Sequence, residues 1–122
     1  MIKNFLLVGL GGGIGSMLRY ASGLLINSKY FPYATLAVNI IGSFIIGIVL
    51  AMSIKDEGIT DQWKLFLATG ICGGFTTFST FAYENMNLLR TGDYLYFGLY
   101  AAGSVILGIA IVYVGIFTIK YL

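Results

Sequence analysis

Charged residues along this chain fall in short clusters, and the stretches between them are almost wholly apolar. Four such stretches stand out, at residues 4–28, 30–54, 65–83 and 94–119, and Arg19 is the only ionised side chain inside them. A helix crossing the hydrocarbon core of a bilayer needs about 20 apolar residues. The pattern therefore predicts an all-α integral membrane protein with four transmembrane helices, at about 4–28, 32–54, 62–89 and 94–120. The connections, near 29–32, 55–64 and 90–93, leave no room for a soluble domain. Residues 1–122 read as one four-helix transmembrane domain.

The third stretch departs most from an ordinary span. Residues 70–81 hold the pair Gly73-Gly74, the four hydroxyls of Thr76, Thr77, Ser79 and Thr80, and three phenylalanines. Glycine lets the backbone leave the helix or lets another chain come close. Irregular backbone at membrane depth survives only where protein buries it or it lines a cavity. One reading is a broken third helix carrying a polar path or an ion site. The other is an unbroken helix whose hydroxyls bond the carbonyl one turn back. On an unbroken helix Thr76, Thr80 and Glu84, four apart, share a face, and Phe78 and Phe81 lie beside it. The positive ring edges of the phenylalanines suit an anion. Glu84, near the end of the span, reads as a helix-end charge at the water boundary.

The first span contains Gly9-Leu10-Gly11-Gly12-Gly13-Ile14-Gly15. The spacing fails the dinucleotide-loop pattern in every register. It fits small-residue helix packing through Gly9/Gly13 and Gly11/Gly15. Arg19 costs roughly 2.5–3.5 kcal/mol within a span, so it either reaches a headgroup or stands at the mouth of an anion path. In the second span Asn39 lies deep in the hydrocarbon zone. Its amide needs partners, from another helix or from an ion. Thr60 or Asp61 caps the third helix and Asp93 the fourth. On the fourth, Tyr100, Ser104 and Gly108 share a face, and Gly103 and Gly108 offer close packing. Tyr94, Tyr96 and Phe97 suit one interface, and Tyr113, Phe117, Lys120 and Tyr121 anchor the other.

Composition agrees with this pattern. The chain is 58% hydrophobic and 10% charged, where a soluble domain carries roughly 25% charged residues. A scattered net charge of +2 argues against a nucleic-acid partner. One cysteine, Cys72, and no histidine exclude an intrachain disulfide, the usual metal clusters and the common catalytic pairs. No enzyme chemistry is visible. The start of the chain mimics a signal peptide, but its apolar run continues past Arg19. With four spans, Lys3, Lys55, Lys64 and Lys120 share one side and Lys29 and Arg90 the other. That positive-inside bias is weak, so the chain suits insertion in both orientations.

Three motifs in order carry a resemblance: Gly12-Gly13-Ile14-Gly15 with Arg19-Tyr20, then Thr35-Leu36-Ala37-Val38-Asn39 with Gly42-Ser43-Phe44, then the whole of 70–81. Together they resemble the Fluc (CrcB) fluoride channels over the full chain. The resemblance implies an antiparallel, dual-topology homodimer in the cell membrane. It implies two fluoride pores and a central structural Na⁺ held by the backbone carbonyls of Gly73 and Thr76. It implies a pore lined by Asn39, Phe78, Phe81, Thr80, Tyr100 and Ser104, with Arg19 in the aqueous vestibule. Where that family can carry a further serine after Ser104, this chain has Gly108, and water or Thr80 would substitute. The implied activity is passive export of cytoplasmic fluoride. Neutral donors would replace the water of a strongly hydrated anion while letting it leave again. The competing reading is a small dual-topology, proton-coupled multidrug exporter, which needs an intramembrane acid; Glu84 is the candidate. A non-transporting assembly subunit would explain the glycines but not the clustered polar groups.

Overall fold

The computed structural model describes residues 1–26, 31–55 and 59–120. The first two expected turns fall partly on residues 27–30 and 56–58, outside the described residues. The last two positions of the first expected span and the Tyr121 anchor also lie outside them.

All regular structure among the described residues is helical. Helix α1 spans Ile2–Leu25 and α2 spans Tyr33–Lys55. A short α3, Asp61–Lys64, runs into a π-helix, Leu65–Cys72, and then α4, Gly73–Phe75. After a break come α5, Ser79–Arg90, and α6, Tyr94–Lys120. Three stretches are long and apolar enough to cross a membrane: Tyr33–Ile54, Asp61–Arg90 counted through its break, and Tyr94–Lys120. Helix α1 has 24 residues, but its six glycines and Arg19 dilute its apolar character.

The ends of these elements follow local chemistry. The Thr60 hydroxyl accepts from the Trp63 N–H at 3.2 Å and caps α3. Asp93 stands just ahead of α6, its carbonyl accepting from the Phe97 N–H, while its carboxylate accepts from the Thr91 hydroxyl at 3.1 Å. Helix α5 closes on Gly92, whose φ of 83° is left-handed. There the Gly92 N–H reaches the Leu89 carbonyl and the Asp93 N–H the Leu88 carbonyl, the paired closure that glycine permits at a helix end.

Packing has two parts. Helix α2 lies along α6, and α1 lies along the π-helix and α4. The second contact is backbone on backbone. A Cβ on Gly11 would stand 2.6 Å from the Phe66 carbonyl oxygen, and one on Gly15 would collide with the Ile71 carbonyl. Gly74 meets the Gly12 carbonyl in the same way. So Gly11/Gly15 packs as the spacing predicts, while Gly9 and Gly13 face nothing within 4 Å in the single chain. Helix α6 makes its close approach at Gly115, against Gly47 of α2 and the Phe44 carbonyl; Gly103 has no neighbour within 4 Å. Most large apolar side chains point outward, among them Leu10, Leu24, Leu95 and Ile106. That is the surface a bilayer or another copy would cover.

The third span is broken. Thr76 has φ −84° and ψ 159°, an extended conformation, and helix resumes at Ser79. The Thr76 hydroxyl also bonds the Cys72 carbonyl at 2.8 Å, so the back-bonding of the alternative reading occurs beside the break. Because the helix is interrupted, Thr76 leaves the face that Thr80 and Glu84 share. The preceding limb is π-helical, with i→i+5 bonding, a form that mostly occurs as single turns and frequently at functional sites.

Candidate functional site

The break is held from outside. Asn39, on α2, meets the Thr77 backbone with both ends of its amide. Its Oδ1 accepts from the Thr77 N–H at 2.9 Å, and its Nδ2 donates to the Thr77 carbonyl at 3.3 Å. The deep asparagine thus finds an interhelical partner. An amide nitrogen carries two protons, so one donor is left over, and Asn39 lines a cavity.

This clamp has a consequence for the carbonyls. In a continuous helix the Thr77 N–H would bond Gly73, and the Thr80 N–H would bond Thr76. Here the first goes to Asn39 and the second to the Thr77 hydroxyl, at 3.2 Å. Gly73 and Thr76 therefore lose the donors that a helix would give their carbonyls. Both residues line the same cavity as Asn39. Hard cations take oxygen ligands, and unwound backbone carbonyls hold Na⁺ in other membrane proteins, so the residues present fit such an ion.

That cavity, of about 380 Å³, is bounded by α2, the break and α6 and has no charged side chain on its wall. Phe78 and Phe81 line it with their ring centroids 5.9 Å apart. Ser104 lines it too, and its Oγ is buried with no hydrogen-bond partner. A buried hydroxyl without a partner costs free energy unless something occupies it.

Tyr100 stands off this cavity. It is 1% exposed, and its ring packs on Phe81 at 4.9 Å and edge-on to Phe31 at 5.3 Å. Its hydroxyl donates to Glu84 Oε1 at 2.8 Å, while the Thr35 hydroxyl donates to Oε2 at 3.0 Å. Glu84 is thus no free helix-end charge; two hydroxyls hold its carboxylate from two other helices. A second cavity brings Glu84 together with Arg19, Thr80, Thr35 and Ser16. Thr77, buried, lies between the two, lining both.

Of the residues singled out in the sequence, the structure gathers Asn39, Phe78, Phe81, Ser104, Gly73 and Thr76 on one cavity, and Arg19 and Thr80 on the other. Tyr100 touches Phe81 and Glu84 instead. Sequence reasoning missed Thr35 and Thr77. Thr35 carried a legible signal: with Asn39 and Ser43 it forms a polar stripe every fourth residue on an otherwise apolar helix. Thr77 carried none, since its place depends on where the helix breaks.

Comparison with known proteins bears on this arrangement. The family described as "CrcB-like protein, Camphor Resistance (CrcB)" matches residues 6–116. A protein of Chlorobium phaeobacteroides (strain DSM 266) named fluoride-specific ion channel FluC is 46% identical over 121 residues, 98% of this chain and 94% of the relative. One of the same name from Azobacteroides pseudotrichonymphae is 44% identical over 118 residues, 94% of each. Another from Leptospira interrogans (serovar copenhageni) is 43% identical over 121 residues, 97% of this chain and 95% of the relative. With residues 6–116 matched by that family and nearly its whole length shared with these relatives, the chain belongs to the CrcB family.

Proposed function

We infer that this chain is a fluoride-selective ion channel of the cell membrane, a multi-pass protein that lets cytoplasmic fluoride leave down its gradient. The observation that carries this reading is the uncharged cavity around Asn39, Phe78, Phe81 and the unpartnered Ser104 hydroxyl. Its polar groups are neutral donors and ring edges. They can replace the water of a small anion without binding it so tightly that it cannot leave. Asn39, Phe78, Phe81 and Ser104 are assigned to the pore. Tyr100 and Thr80 flank it, and Arg19 attracts anions into the vestibule. In this reading α1 completes four spans within one transmembrane domain.

A second copy of the chain is part of the reading. Gly73 and Ser79 are exposed in the single chain, and Phe78 is 79% exposed. Irregular backbone at this depth must be covered by protein rather than lipid. A cavity of about 380 Å³ is also wide for an ion that must shed its water, when one water takes about 30 Å³. A partner would narrow it. The weak charge asymmetry suits an antiparallel, dual-topology pair with two pores. At the centre of such a pair the carbonyls of Gly73 and Thr76 would hold a Na⁺. It would supply fixed positive charge and tie the two breaks together.

The test is anion efflux from vesicles holding purified protein, under a K⁺/valinomycin clamp. Fluoride is expected to leave while chloride stays. Loss of both anions, or of neither, overturns the channel reading and directs attention to Glu84 and proton-coupled cation export. Phe81→Ile keeps most of the apolar volume but removes the aromatic ring that lines the cavity and packs on Tyr100. Its fluoride efflux is expected to fall by about tenfold, the equivalent of about 1.4 kcal/mol, in protein that still elutes as the parent does. Parent-like efflux would remove Phe81 from the pore.

A further inference from the structure

Several hydroxyls in this chain donate to the carbonyl one turn back: Ser22 to Leu18 at 2.9 Å, Thr76 to Cys72 at 2.8 Å and Thr118 to Val114 at 2.8 Å. In the uncharged cavity the Thr77 hydroxyl pairs with Ser79 and the Thr80 N–H instead, and two others have no partner. Ser104 Oγ is buried with no partner. Ser43 Oγ makes no hydrogen bond with any described residue, and Ser43 lines the same cavity.

Their positions are in register. Ser43 lies one turn beyond Asn39 on α2, and Gly108 lies one turn beyond Ser104 on α6. The two newcomers face each other. A Cβ built on Gly108 would have Ser43 Oγ as its nearest neighbour, at 3.8 Å. At this level α6 offers no side chain, and the hydroxyl beside the gap comes from α2. Thr80, the substitute considered above, lines the other cavity.

We propose that Ser43 is a further fluoride-contacting residue, whose hydroxyl continues the polar wall of the pore past Ser104 where Gly108 leaves it bare. The assignment rests on the channel reading. It supplies the ion with a donor one helical turn from Asn39, so that fluoride passing Ser104 meets a second hydroxyl before it meets water.

The experiment is fluoride efflux from vesicles with four proteins: the parent, Ser43→Ala, Ser43→Thr, and Ser43→Ala combined with Gly108→Ser. Each is first checked for a parent-like elution profile in detergent. Losing one hydrogen bond to an ion predicts about tenfold slower efflux for Ser43→Ala. Ser43→Thr keeps the hydroxyl and is expected to conduct within about twofold of the parent. Gly108→Ser has ordinary room for its side chain, and in the Ser43→Ala background it is expected to restore most of the flux by supplying the hydroxyl from the opposite helix. Should Ser43→Ala fail to assemble, Ser43→Cys, with the same shape and a weaker donor, carries the comparison. Parent-like flux in Ser43→Ala (or, where it replaces it, Ser43→Cys) overturns the proposal. So does slow flux that Gly108→Ser does not raise, because packing and not the hydroxyl would then be the cause. A parent that moves no fluoride overturns the channel reading and this assignment with it.

Discussion

Asn39→Ala is expected to lower fluoride efflux by at least about a hundredfold, equivalent to about 2.7 kcal/mol. The size follows from the two tasks the amide performs. It lines the uncharged cavity with one amide proton to spare, and its other two bonds hold the Thr77 backbone, at 2.9 and 3.3 Å. Removing it leaves a buried N–H and carbonyl unpaired, at about 1–3 kcal/mol each. The cheapest repair is for the Thr77 N–H to return to the Gly73 carbonyl. That closes the helix, removes the break and withdraws a carbonyl from the proposed cation site. Asn39→Asp disturbs both tasks in a different way. It keeps an acceptor for the Thr77 N–H but turns a carboxylate toward the Thr77 carbonyl and toward the anion, so efflux falls as far. Efflux from Asn39→Ala vesicles at the parent rate would mean that Asn39 neither serves the ion nor keeps the break open.

Gly15→Ala is expected to cost about 3 kcal/mol or more of stability, above the usual range for one added methyl, because the obstacle is backbone. The new Cβ would collide with the Ile71 carbonyl oxygen and stand 2.8 Å from the Phe75 nitrogen. Neither atom can rotate away. Helix α1 would have to lift off the π-helical limb along its length. Gly23→Ala, in the same helix with nothing within 4 Å, is the control. Alanine there gains helix propensity worth up to about 1 kcal/mol, so that variant should match or exceed the parent. The readout is the fraction recovered as a monodisperse peak in detergent, with the midpoint of thermal unfolding. Equal midpoints for both variants would show that α1 and the π-helix do not meet backbone to backbone.

Much of this arrangement was legible in the sequence, for identifiable reasons. The spans at 32–54 and 94–120 needed only a count of apolar residues between charges, and the helices Tyr33–Lys55 and Tyr94–Lys120 follow that count closely. Glycine and hydroxyl density pointed to residues 70–81, where the break lies. Whether the helix broken there was two-sided, because the same threonines support either form and Thr76 in fact bonds back as well. The choice was made by Asn39, 38 residues away, and no local pattern contains that pairing. The π-helix was invisible for a similar reason: its sequence, Leu65–Cys72, carries no local mark of a wider turn, and its close approach to α1 at Gly70 joins distant parts of the chain. Glu84 read as a surface charge because it lies late in its span. Its partners Thr35 and Tyr100 come from other helices, and only the fold brings them together.

The break between Phe75 and Ser79 also places two opposed helix ends side by side. A helix carries partial negative charge at its C-terminus and partial positive charge at its N-terminus, each about half an elementary charge. An unbroken third span would have put both at the membrane surfaces, where water screens them. Interrupted within the span, the same peptide dipoles deliver a negative end, at α4, and a positive end, at α5, within a few residues of each other. One end favours a cation and the other an anion. On the reading proposed above, a protein with few ionised side chains in its spans can thereby attend to Na⁺ and fluoride together, using the backbone's own polarity.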